Sequence, residues 1–180
     1  MLAALTFLLG MTPIGIIPIP PANVTIMHIP VIIGTLICGL NTGLILGGVF
    51  GLTSSIRAFT APSSLIAPIV GASPILAVLI SVLSRLMIPV VTNAVKKATE
   101  KHIKKFSLPV ASAIGTLTNT VCYLGFMLIV YMMLGLDNTT LLGIIAGVGA
   151  LNGACEALAA VIICTPVVLA VNKFIGNKLN

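Results

Sequence analysis

The sequence predicts an all-α membrane protein with six transmembrane helices, on the evidence of its hydrophobicity, its scarcity of charge and its unbroken apolar runs. Of its 180 residues, 58% are hydrophobic and 7% are charged, and the mean hydropathy is +1.24. Soluble domains carry about 25% charged residues, so this composition excludes a soluble enzyme, a disordered chain and a disulfide-rich secreted domain. The apolar runs do not alternate with polar residues, which favours membrane helices over barrel strands.

Six apolar runs give the predicted helices. A helix that crosses the bilayer needs about 20 apolar residues, so six of them leave room for a single domain over residues 1–180. The first run has about half the length that a helix needs to span the bilayer. The predicted helices are, in order, Met1–Met11, Ile29–Leu40, Gly43–Phe59, Pro74–Ala98, Pro109–Leu134 and Thr139–Lys173.

Two segments between the helices are predicted to be irregular. Residues 13–30 hold five of the prolines, which excludes a regular helix, yet the segment is too apolar for an ordinary solvated loop. We expect a long outer loop that folds over another part of the protein. Its polar side chains are Asn23, Thr25 and His28. The second irregular segment is Thr60–Ser73.

The third predicted helix carries glycine at every fourth position, at Gly43, Gly47 and Gly51. Residues four apart lie on one face of a helix. Because glycine has no side chain, such a face lets another helix approach closely in a membrane. The sequence therefore predicts a tight helix contact there.

The basic residues predict the orientation in the membrane. Five lysines lie in the segment Lys96–Lys105, and Lys173 and Lys178 lie near the end of the chain. Since cytoplasmic loops are enriched in lysine and arginine, we predict a multi-pass plasma-membrane protein with both termini in the cytoplasm. The pI of about 9.5 does not predict a nucleic-acid partner, because the basic stretch flanks a membrane helix and holds no interleaved aromatic residues.

Arg57, Arg85 and Glu156 are ionisable residues within predicted membrane helices. Such a residue costs roughly 2.5 to 3.5 kcal/mol on insertion scales, so each needs a physical reason. Arg85 either binds an anionic group of a ligand inside a cavity or pairs with Glu156 to hold two helices together. Arg57 lies near the outer end of its helix and either binds ligand or extends to the membrane surface.

The asparagines give a second signal for a pocket. Asn93, Asn119 and Asn152 lie in the fourth, fifth and sixth predicted helices, and Asn152 shares a helix face with Glu156. Hydrogen bonds between helices are one explanation, and a shared pocket near the middle of the membrane is the other. A ligand with a carboxylate and several hydroxyl or amide groups would suit that pocket. His28 is either a packed or capping histidine or a ligand contact.

Several chemical motifs are missing from the sequence. It has no GxxxxGK[ST] phosphate loop, no HExxH and no CxxC pair, so neither a metal nor a cofactor is expected. Glu156 is the one acid inside a predicted helix, which argues against catalysis and against ion-coupled transport. We expect a protein that binds a solute and depends on partners for energy. A membrane assembly subunit that binds no solute and a small intramembrane enzyme are the alternatives.

Three segments, residues 11–15 (MTPIG), 26–34 (IMHIPVIIG) and 47–54 (GGVFGLTS), resemble the S component of energy-coupling factor (ECF) vitamin transporters. The order of helices, the long first outer loop and the basic loop are similar across nearly the whole chain. Within the family, the sequence is most similar to the pantothenate-specific members. Members for other small vitamins or precursors, of the pyridoxine or hydroxymethylpyrimidine type, share much of the first third and are the alternative.

The resemblance implies an S-component bundle that works with a membrane scaffold subunit (the T component) and two cytoplasmic ATPases. It implies that a vitamin binds at the outer face, under the first loop as a lid, and that the subunit then reorients within the membrane. Small residues of the first helix contact the scaffold in this family, which points to Ala3 and Ala4, although Leu8 departs from the alanine-xxx-alanine arrangement. The candidate substrate-binding residues are Arg85, Asn119, Asn152, Glu156, Asn23, Thr25, His28 and Arg57.

Overall fold

A computed structural model describes residues 1–12, 15–19, 22–136, 139–144 and 149–178. The structure confirms the prediction of an all-α membrane bundle, and the first loop adds a short pair of strands. The helices are α1 (Leu2–Met11), α2 (Ile29–Cys38), α3 (Leu40–Thr60), α4 (Ala67–Ala72), α5 (Pro74–His102), α6 (Ser107–Leu134), α7 (Thr139–Ile144) and α8 (Ala150–Lys178); the strands are β1 (Ile16–Ile19) and β2 (Ala22–Thr25).

Helices α3, α5, α6 and α8 contain the segments of the described chain that are long and apolar enough to cross a membrane. Helices α1 and α2 are apolar but have 10 residues each, which is about half of the hydrocarbon thickness at helical rise. Large apolar side chains, including Ile75 and Val121, are exposed on the outside of the bundle, as expected where lipid replaces water.

Two differences from the predicted helices have identifiable reasons. The chain turns between α2 and α3 at Gly39, whose φ of +86° suits glycine, whereas the second predicted helix ended at Leu40 and the third began at Gly43. The segment Thr60–Ser73, predicted to be irregular, contains helix α4. Its Pro68 lies in the first turn, where a missing N–H group breaks no helical hydrogen bond.

The first loop forms a β-hairpin. Strands β1 and β2 pair in antiparallel fashion, with Ile16 opposite Thr25 and Ile19 opposite Ala22. Both are edge strands, where Pro18 is tolerated. The hairpin leads from the end of α1 to α2, so it crosses the same end of the bundle as the cavity described below.

Helices α3 and α5 approach each other along the predicted glycine face, which confirms the close contact. A Cβ atom at Gly47 would lie 2.9 Å from the carbonyl oxygen of Arg85, and one at Gly51 would lie 3.0 Å from Val82 Cα. Real Cβ atoms essentially never come closer than 3.0 Å to another atom, and a contact at 3.0 Å is tighter than nine in ten real Cβ contacts. The glycines therefore set the distance between the two helices.

Candidate ligand-binding site

The structure brings four of the predicted site residues from α5, α6 and α8 to one cavity. Its volume is about 410 Å³, within the range of about 300 to 1,000 Å³ that is common for small-molecule pockets. The end of the hairpin forms part of its wall. The polar residues that line it are Thr25, Ser63, Arg85, Asn119, Thr120, Tyr123, Asn152 and Glu156.

Arg85 is a buried cation with an aromatic surround. Its side chain is 8% exposed, and its guanidinium carbon lies 4.3 Å from the ring centroid of Tyr123 and 5.3 Å from that of Phe50. Both distances allow a cation–π attraction. Its Nη1 donates a hydrogen bond to Ser84 Oγ at 2.6 Å, whereas its buried Nε has no acceptor among the described residues. The guanidinium thus keeps a donor free.

Glu156 does not pair with Arg85. Among the described residues, no carboxylate oxygen lies within 4.0 Å of the Arg85 guanidinium. Glu156 Oε1 instead accepts hydrogen bonds from the Thr25 amide at 2.9 Å and the Thr25 hydroxyl at 2.5 Å. The Thr120 hydroxyl lies 3.5 Å from Oε2. Glu156 therefore ties the end of β2 to α8, and the positive charge of Arg85 stays available to an anion.

Asn119 and Asn152 present unsatisfied amide oxygens. Both Oδ1 atoms are buried, and neither has a hydrogen-bond donor within the described part of the chain. Buried polar atoms in folded proteins nearly always have a partner. A ligand that brings hydroxyl or amide hydrogens into the cavity would supply the missing donors.

The sequence of α5 explains how the Arg85 backbone is held. Pro89 has no N–H group, so the carbonyl of Arg85, four residues earlier, lacks its usual helical donor. That carbonyl faces Gly47 of α3. The contact between the two helices therefore fixes the backbone that carries the buried cation.

Comparison with known proteins identifies the family. Residues 1–168 match the family described as "ECF transporter, substrate-specific component". The chain belongs to this family. It is also 32% identical to the pantothenic acid transporter PanT of Lactococcus lactis subsp. cremoris (strain MG1363), over 168 residues that cover 88% of this chain and 82% of that protein.

Family membership confirms the resemblance seen in the sequence. The protein is the substrate-specific subunit of an ECF transporter, a multi-pass membrane protein and not an enzyme. Membership also implies association with a T component and ATPase subunits in an ECF complex.

The other candidate residues of this S component are not among the described residues that line the main cavity. Arg57 lines a separate, smaller cavity, and its Nη1 lies 3.4 Å from the carbonyl oxygen of Gly10. His28 is fully buried at the start of α2, and its ring nitrogens have no partner within the described chain. The side chain of Asn23 lies outside the described residues. In α1, Ala3 is half-buried against the core and Ala4 is exposed.

Sequence reasoning missed the residues that surround Arg85. Tyr123 follows Asn119 by four positions, so the two share one face of α6, and this spacing could have indicated it. Phe50 carries no comparable signal, because an aromatic residue in a membrane helix is usually a packing residue. Ser84 was equally hard to find, since serine commonly bonds within its own helix.

Replacing Thr25 with valine should loosen the hairpin. The change removes the hydroxyl that bonds Glu156 while it keeps a similar shape, and a hydrogen bond to a charged group contributes about 1.5 to 3 kcal/mol. Amide hydrogen exchange over residues 22–27 should then become about tenfold faster or more. Thr118→Val is the matched control, since that hydroxyl bonds only the carbonyl of Ile114 in its own helix. Equal amide exchange rates in both variants would contradict the conclusion that the Thr25–Glu156 hydrogen bond holds the hairpin in place.

Proposed function

We propose that the protein is the pantothenate-binding S component of an ECF importer. The observation that carries this proposal is the buried Arg85 guanidinium, which lines a cavity of about 410 Å³ and has no carboxylate partner among the described residues. A buried charge needs a partner to offset its lost hydration. Pantothenate would bring a carboxylate to this cation, together with an amide and two hydroxyl groups. The similarity to a pantothenic acid transporter supports the same ligand.

The roles of the polar residues follow from their chemistry. Arg85 would bind the carboxylate through charge-assisted hydrogen bonds, which are stronger than neutral ones. Asn119 and Asn152 would accept hydrogen bonds from the hydroxyl and amide groups of the ligand. Glu156 would hold Thr25, and with it the hairpin, over the cavity. Asn23 and His28 stay candidates in the first loop, which would act as the lid.

The wider arrangement is also part of the proposal. Two cytoplasmic ATPases would supply energy through the T component, and the exposed Ala4 on α1 would lie at the contact with that subunit. The exposed Lys97 and Lys101 at the end of α5 favour a cytoplasmic position for this end, with both termini on the same side. Residues 1–180 would form one substrate-binding domain.

A neutral vitamin suits the cavity less well. Pyridoxine and hydroxymethylpyrimidine carry no carboxylate, so either would leave Arg85 with no anion except Glu156, which lines the same cavity but makes no ion pair with it. An assembly subunit that binds no solute would leave the oxygens of Asn119 and Asn152 without donors. Both alternatives are therefore disfavoured by the same cavity.

Pantothenate should stabilise the purified protein against heat, and its alcohol analogue, which has a hydroxymethyl group in place of the carboxylate, should do so far less. A ligand at 100 times its dissociation constant adds about 2.7 kcal/mol to the free energy of unfolding. The measurement is thermal unfolding in detergent with a panel of B vitamins. Stabilisation by pyridoxine or hydroxymethylpyrimidine and not by pantothenate would overturn the proposed specificity.

A further inference from the structure

A second cavity lies directly beside the first. Its volume is about 270 Å³, and Arg57 is the basic residue in its lining. Thr25, Ser63 and Tyr123 line both cavities, so these three side chains form a shared wall. The main cavity and its neighbour therefore meet at a hydroxyl-rich boundary.

The electrostatics of the smaller cavity suit an anion. Arg57 is half-buried in the last turn of α3, and no acidic residue is among the described residues that line this cavity. The one hydrogen bond of its side chain within the described chain, to the Gly10 carbonyl, is long at 3.4 Å. If Arg57 served only to reach the membrane surface, its side chain would not be expected to line a cavity that adjoins the ligand site.

The two arginines lie on either side of the shared wall. The Tyr123 ring that lines both cavities also lies 4.3 Å from the Arg85 guanidinium carbon. Phe50, whose ring centroid lies 5.3 Å from that guanidinium carbon, also lines the smaller cavity. The Ser63 hydroxyl on the shared wall can donate to an anion that passes between the two arginines, whereas the Thr25 hydroxyl already donates to Glu156.

We propose that the smaller cavity is an outer anion site, in which Arg57 takes up the ligand's carboxylate before the ligand moves past Tyr123 to Arg85. This inference rests on the proposed function, since it requires a ligand with a carboxylate. Arg57 contacts the ligand on its way in and out and not in the final bound state. It therefore lowers the barrier in both directions and leaves the dissociation constant nearly unchanged.

The test is the rate at which radiolabelled pantothenate binds to and leaves the purified full chain in nanodiscs, measured by rapid filtration. Charge-lined clefts raise association rates by about tenfold to a thousandfold, so Arg57→Gln should lower both rate constants by about tenfold or more. The dissociation constant should stay within about threefold, a free-energy change below the tenfold step of 1.4 kcal/mol. Arg57→Lys keeps the charge and should keep most of the rate. Raising the salt to 1 M should bring the wild-type association rate towards that of Arg57→Gln.

The outcomes separate the two proposals. If the wild-type protein binds pantothenate and Arg57→Gln leaves both rate constants unchanged, the outer site is wrong and the proposed function stands. If Arg57→Gln weakens binding mainly through faster dissociation, Arg57 belongs to the final site and the outer site is again wrong. If the wild-type protein binds no pantothenate or other carboxylate-bearing vitamin, both proposals are wrong. Thermal unfolding of Arg57→Gln and Arg57→Lys checks that both variants fold.

Discussion

Replacing Arg85 with glutamine should weaken pantothenate binding by about thirtyfold or more, because truncating one partner of a buried charge pair costs about 2 to 5 kcal/mol. The effect is expected to be large because no other cation lines the main cavity in the described part of the chain. Without Arg85, the ligand's carboxylate would enter a poorly hydrated site that offers only neutral donors. Isothermal titration of purified variants measures the change.

The choice of substitution separates binding from folding. Glutamine keeps a hydrogen-bonding side chain, and removing a buried unpaired charge should not destabilise the ligand-free protein. Arg85→Lys keeps the charge and loses both the planar geometry and part of the stacking on Tyr123, so its affinity should lie between those of the wild type and the glutamine variant.

The alcohol analogue of pantothenate completes the comparison. The wild-type protein should strongly prefer the carboxylate over the alcohol, and Arg85→Gln should bind the two ligands about equally. If Arg85→Gln still prefers the carboxylate as strongly as the wild type does, another group binds it and the assignment of Arg85 is wrong.

The convergence of Arg85, Asn119, Asn152 and Glu156 could be anticipated because lipid penalises polar side chains. A membrane helix keeps such a residue only where a partner or a cavity receives it. Four polar residues at similar depth on three helices therefore had few arrangements available. The structure places all four at one cavity, and their roles in binding stay a prediction.

The choice of partners could not be predicted in the same way. Glu156 bonds Thr25, which lies 131 positions earlier in the sequence, and not Arg85. Which residues meet across such a distance depends on how a proline-rich hairpin folds back, and no local pattern encodes it. The presence of Arg85 and Glu156 in the predicted helices could not by itself decide whether Arg85 was free or paired. The position of Arg57 in its own cavity was hidden for the same reason, since Gly10 and Tyr123 lie on other helices.

Replacing Gly47 with alanine should lower both the stability of the protein and its affinity for pantothenate. The new Cβ would lie 2.9 Å from the carbonyl oxygen of Arg85, and a backbone atom cannot move away without moving α5. Inserting a methyl group into a packed contact costs about 1 to 3 kcal/mol. Because the displaced segment carries Arg85, we expect the affinity to fall by about tenfold, which corresponds to 1.4 kcal/mol.

Gly48→Ala is a closely matched control for this change. Gly48 is the next residue of α3, and a Cβ atom there would meet no atom within 4 Å. Alanine is more favourable than glycine in a helix by about 1 kcal/mol, and this gain in stability applies to both substitutions. Gly48→Ala should therefore leave binding unchanged and keep or raise the melting temperature, whereas Gly47→Ala should lower both. Similar behaviour of the two variants would show that the approach of α3 does not position Arg85.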